Sequence, residues 1–112
     1  MTQEEQYVEP FKRISVNEAR ELIDRGEVTI VDVREGWEYA NGHIPNARHV
    51  PLARIIQDAK QNVEGDNLIF VCEVGARSAV AAEFAAALGK QQLYNLEGGT
   101  GAWREAGLPI EK

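Results

Sequence analysis

Apolar residues along the chain come in two kinds of run. The blocks "VTIVDV" (28–33) and "LIFVC" (68–72) are nearly unbroken and rich in β-branched residues, the pattern of strands covered on both faces within a parallel sheet. Elsewhere the apolar positions recur every three or four residues. In "ISVNEARELIDRG" (14–26), Ser15 and Glu18 form a capping box, Ala19, Leu22 and Ile23 share one helical face, and Gly26 ends the element. A short helix is expected around "GWEYANG" (36–42), a turn at "HIPNA" (43–47), a brief strand near "RHVPL" (48–52) and an amphipathic segment at "LARIIQDAKQ" (52–61). After the second apolar block comes a helix with Val80, Phe84 and Leu88 four residues apart and alanines beside them, closed by Gly89. "QQLYNL" (91–96) reads as a strand and "TGAWREAG" (100–107) as a helix whose Trp103 turns inward before Gly107 and Pro109. Alternating strands and helices predict an α/β layer fold with a mostly parallel sheet.

A chain of 112 residues has room for one domain. The polar, acidic opening predicts a flexible leader over 1–12 and a folded domain over 13–112. It lacks the basic start and apolar run of a secretory signal, so a cytoplasmic location is expected. The longest alanine-rich run is interrupted by Glu83 and stops at Gly89, short of the ~20 residues that cross a bilayer, so no membrane partner is expected. The net charge of -6 opposes attraction to phosphate backbones, which argues against nucleic acid as a partner. The 1 cysteine forms no internal disulfide, and the 2 histidines offer no zinc spacing, so no metal is expected.

That cysteine, Cys72, stands where a buried strand ends and a helix begins. Carboxyl ends of strands in open α/β sheets face the binding crevice, and the first amides of a helix are unpaired and favour negative charge. A thiolate there is stabilised, and thiolate is the reactive form. Gly75 permits backbone angles that let successive amides converge on an anion. Arg77 adds a forked cation suited to oxyanions, and Ser78 is available to cap the helix. A lone cysteine after an apolar strand is otherwise a small buried hydrophobe. The loop that follows it tips the reading toward chemistry.

Three separated stretches, covering residues 13 to 110, resemble the rhodanese family of sulfurtransferase domains. "VDVREGWEYANGHIPNARHVPL" (31–52) is similar to the family's amino-terminal signature, "VCEVGARSAVAA" (71–82) to its active-site loop and "LEGGTGAWREAGLP" (96–109) to its carboxy-terminal signature. The resemblance implies a single-domain rhodanese-like fold with about five strands and helices on both faces. It also implies Cys72 as nucleophile, with Glu73, Val74, Gly75, Ala76, Arg77 and Ser78 as the anion-binding loop. Sulfur would pass from thiosulfate or another small sulfur donor onto Cys72 as a persulfide, with no other cofactor, and on to cyanide, a thiol or an acceptor protein. A second reading is a sulfur-carrier or regulatory module with little turnover alone. Four residues separate Cys72 from Arg77, where the phosphatases of this fold have five, and the shorter loop favours sulfur over phosphorus. Glu73 departs from the family pattern, since a carboxylate at the mouth would repel dianionic thiosulfate.

Asp32 and Arg34 end a strand on the side of Cys72, so they either line the pocket or tie loops together, with Glu38 as the expected partner of Arg34. His43, inside "NGHIPNA", reads as a turn organiser, and Trp37 and Trp103 as core or lid residues.

Overall fold

A computed structural model describes residues 7–112. The elements in chain order are β1 (Lys12–Ile14), α1 (Val16–Asp24), β2 (Thr29–Asp32), α2 (Gly36–Ala40), β3 (Arg48–His49), α3 (Leu52–Gln57), α4 (Ala59–Asn62), β4 (Leu68–Val71), α5 (Ala76–Ala87), β5 (Leu93–Leu96) and α6 (Gly99–Glu105). The strands form one 5-stranded sheet in the order β1-β5-β4-β2-β3, and every paired neighbour runs parallel. Among the described residues no helix is long and apolar enough to cross a membrane.

Side-chain alternation along the central strands divides the interior in two. Val31, Val33, Leu68, Phe70 and Cys72 pack with Ile55 of α3 and with Ala81, Ala82 and Ala85 of α5. Ile30, Ile69 and Val71 pack on the other face with Ala19 of α1 and Trp103 of α6. Burial on both faces is what the unbroken apolar blocks encode. The chain runs outward from β2 to β3, turns back to β4 and continues to β5 on the far side. The carboxyl ends of β2, β4 and β5 therefore meet at a topological switch point, where such sheets carry their sites.

The structure differs from the sequence reading in three elements. Two residues assigned to the expected leader belong to the fold: Phe11 is buried in the core and Lys12 opens β1, which pairs with β5 through Lys12–Tyr94 to Ile14–Leu96. Three residues with one apolar side chain carry too little periodicity to announce an edge strand; residues 1–6 lie outside the described part. The segment 52–61 is two short helices, because Asp58 leaves helical geometry (φ -157°, ψ 81°) and uses its carboxylate to cap the second. On α5 it is Ala81, Ala82 and Ala85 that are buried, while Val80 and the C-cap Leu88 are 41% and 38% exposed. Small side chains let that helix lie close against β4 and β5, so size rather than hydrophobicity sets its inner face.

Candidate active site

Cys72 follows β4 directly and is fully buried. The chain then turns sharply through Gly75, whose φ of 110° suits glycine and few other residues, and enters α5 at Ala76. The turn aims the Gly75 amide at sulfur: its N–H donates to Cys72 Sγ over 3.0 Å. Ser78 does not cap the helix, where Gly75 holds the N-cap position; it is the third residue of α5, buried, with Oγ 3.3 Å from Cys72 Sγ. The Ser78 hydroxyl donates to Oδ1 of Asn95 on β5, and Asn95 Nδ2 donates to the carbonyl of Gly75 over 3.0 Å. Asn95 thus closes a ring from the loop backbone through the serine to the sulfur.

The loop's carbonyls are tied down from behind. The amides of Thr100 and Gly101, in the first turn of α6, donate to the carbonyls of Cys72 (2.8 Å) and Glu73 (3.1 Å). These are helix amides that would otherwise be unpaired. Gly99, at φ 60°, passes so close that a Cβ there would overlap the Cys72 carbonyl and the Glu73 peptide. The glycine-rich turn of 98–101 is the backing of the cysteine loop, which explains why it is glycine-rich.

Opposing influences act on the thiol. Burial pushes Cys72 up, but the Ser78 hydroxyl and the amides of Ser78, Gly75 and Val74 stabilise the anion, and the net direction is below the ordinary thiol value. Neutral donors supply most of that stabilisation, and the Arg77 charge adds to it at longer range.

The nearby guanidiniums are taken up by carboxylates. Arg77 grips Glu38 bidentately, Nη1–Oε1 2.8 Å and Nη2–Oε2 2.9 Å. That pairing pushes Glu38 down to about 2 and Arg77 upward. Glu38 is therefore the partner of Arg77 and not of Arg34. Arg34, almost wholly buried, is held by Asp32 through Nε–Oδ1 3.0 Å and Nη2–Oδ2 2.8 Å, and donates to the Gly42 carbonyl over 2.9 Å. Its Nη1 meets Glu73 Oε1 at 3.2 Å. The other Glu73 oxygen meets Arg104 of α6 at 3.0 Å. Glu73 thus bridges a buried and an exposed arginine, and its charge is compensated at the mouth.

A shallow depression of about 270 Å³ at this mouth is lined by Arg34, Trp37, Glu38, Asn41, Glu73 and Arg104. Trp37 is 69% exposed, so it stands at the rim and outside the core, whereas Trp103 is buried and donates Nε1–H to the Pro109 carbonyl. Val74 is exposed on the outer side of the loop. His43 is engaged with other partners: its ring stacks on Tyr39 at 3.7 Å, Nδ1 meets the Tyr39 carbonyl, and its backbone pairs with Glu111. Among the described residues no cluster of three or more His, Cys, Asp and Glu side chains is placed to hold a metal.

Sequence reasoning missed Asn95, Gly99 as the loop's backing, and Arg104. Asn95 carried a signal, a lone amide in the otherwise apolar strand "LYNL". Arg104 carried none, since an arginine on a short surface helix is ordinary.

The family model for the rhodanese-like domain matches residues 15–106. A thiosulfate sulfurtransferase GlpE of Shewanella oneidensis is 34% identical over 96 residues, covering 86% of this chain and 95% of that protein. An uncharacterized protein of Synechocystis is 34% identical over 93 residues; the match takes in 83% of this chain but only 52% of that protein's length. The crystal structure of a rhodanese-related protein from Thermoplasma volcanium superposes with a TM-score of 0.79 at 32% identity, covering 90% of this chain and 98% of that one.

Proposed function

Because the chain belongs to the rhodanese-like domain family, we propose that it is a sulfurtransferase that carries sulfur as a persulfide on Cys72. The observation that carries this reading is the lone buried thiol with the Gly75 amide 3.0 Å and the Ser78 hydroxyl 3.3 Å from its sulfur. Cys72 thiolate attacks the outer sulfur of a donor, the donor's sulfur–sulfur bond breaks, and the electron pair leaves with the remainder of the donor. An acceptor thiolate or cyanide then attacks the outer sulfur of the persulfide and returns Cys72 as thiolate. With 1 cysteine in the chain the acceptor is external.

The charge arrangement bears on the donor. Thiosulfate brings two negative charges, while Arg34 and Arg104 are engaged by Glu73 and Arg77 by Glu38. We infer that a thiol-borne persulfide, whose reacting sulfurs carry at most one negative charge, is a better donor than thiosulfate. No cofactor beyond the covalent sulfur enters this scheme.

Intact mass before and after exposure to donor, then to cyanide, tests it. Wild type should gain one sulfur and release it as thiocyanate, and Cys72→Ser should gain nothing at nearly unchanged Tm. Absence of any gain from thiosulfate and from glutathione persulfide alike overturns the enzymatic reading in favour of a binding module.

A further inference from the structure

The ring formed by Cys72, Ser78, Asn95 and Gly75 contains fewer hydrogens than it has uses for. Gly75's carbonyl can only accept, so the Asn95 atom 3.0 Å from it is the amide nitrogen, and that leaves Oδ1 facing Ser78. Oδ1 can also only accept. Two oxygens in that contact without a hydrogen between them would repel, so the Ser78 hydroxyl donates to Asn95. A serine has one such hydrogen. What Ser78 Oγ turns toward Cys72 Sγ, 3.3 Å away, is a lone pair, which suits a protonated thiol donating to it.

A sulfur anion reverses the demand. It can only accept, and all three side chains are fully buried, so no bulk water substitutes. To stabilise the anion Ser78 must turn its hydrogen to sulfur, and Asn95 Oδ1 is then left buried without a donor. We propose that Asn95 is a positioning residue that governs ionisation and departure of the Cys72 sulfur by competing with it for the single hydrogen of Ser78. The competition acts twice in the cycle, which rests on the persulfide reading above: when the thiol releases its proton to solvent and attacks, and when the acceptor thiolate takes the outer sulfur and the electron pair of the broken sulfur–sulfur bond returns to Sγ. At the second point the serine hydrogen moves from Asn95 to the leaving sulfur, and no proton need come from outside.

The test is the pH dependence of alkylation by iodoacetamide, which reports Cys72 alone because the chain has 1 cysteine. Asn95→Leu removes the competitor and should lower the thiol midpoint by about one pH unit, the scale of one hydrogen bond gained by an anion. In a Ser78→Ala background there is no hydrogen to compete for, and the same substitution should leave the midpoint unchanged or raise it through loss of the Gly75 contact. A purely packing role for Asn95 gives equal shifts in both backgrounds and overturns the proposal, as does a raised midpoint in Asn95→Leu alone. Should the leucine variant fail to fold, the wild type still decides: the side-chain carbonyl carbon of Asn95, followed by NMR, should titrate with the midpoint of Cys72 and be flat in Cys72→Ser. A flat trace in the wild type overturns the proposal. Sulfur uptake measured by intact mass separates this outcome from a failure of the persulfide reading, since the thiol titration requires no donor.

Discussion

On the β4 side of the site neutral groups gather at the sulfur, the Gly75 amide as donor and the Ser78 hydroxyl beside it, with the loop backbone held by the first turn of α6. Toward the mouth the donors are guanidiniums, and Arg34 after β2, Arg77 on α5 and Arg104 on α6 each face a carboxylate. Both groups lie at the carboxyl edge of the sheet, yet the close contacts to the Cys72 sulfur come from the neutral one. A buried sulfur anion of one charge is matched by dipoles that need no counter-ion, whereas uncompensated arginines in the same place would favour a dianion. The division of labour separates stabilising the sulfur from shaping its surroundings.

The largest way to break this contrast is on the charged side. Arg34→Ala leaves Asp32 buried and unpaired and the Gly42 carbonyl without a donor. A stability loss of about 3–5 kcal/mol is expected in urea unfolding. If the loss is small, the network is dispensable scaffolding. Next comes Gly99→Ala, which forces a Cβ into the Cys72 carbonyl at a positive φ. Roughly 2–4 kcal/mol should be lost, with thiol reactivity falling alongside because the loop must shift. Unchanged alkylation would mean that the α6 backing does not set the sulfur's environment.

Acid sharpens the comparison further. Glu38 is held at about 2 in the fold against an ordinary 4.5, so its pairing with Arg77 stabilises the protein fully above 4.5 and is lost as pH falls from there toward 2. Allowing for the partial exposure of Arg77, roughly 2 kcal/mol should disappear across that window. Unfolding measured at a series of pH values should show a shallower acid slope in Glu38→Gln, and parallel slopes would show the pair to be screened. The smallest effect is expected at Glu73, whose bridge is half open to water. Glu73→Gln should cost less than about 1 kcal/mol and lower KM for thiosulfate several-fold. That gain should shrink as salt rises, and an unchanged KM would show that the mouth does not select by charge.

Much of this was legible before any coordinates. The two apolar blocks announced central parallel strands, and Ser15 with Glu18 announced α1, where both halves of the capping box form. Cys72, Gly75 and the change from strand to helix between them marked where the candidate site lies. Partner choice was less legible. Glu38 lies four residues from Arg34 and pairs instead with Arg77, 39 positions away. Ser78 looked like a cap by its place near a helix start, and it serves the sulfur and Asn95 from inside the first turns.

Local pattern determined what local physics controls: which segments are strands or helices, where a glycine must turn, and where a thiol meets unpaired amides. The tertiary structure alone decided which carboxylate neutralises which guanidinium, that α6 backs the cysteine loop, and that Ser78 stands between Asn95 and Cys72. Those pairings join β2, β4, β5 and α6, brought together only by the parallel crossover topology. An electrostatic or hydrogen-bonding partner is chosen by distance and direction across that edge, and neither is written in the spacing of residues along one strand.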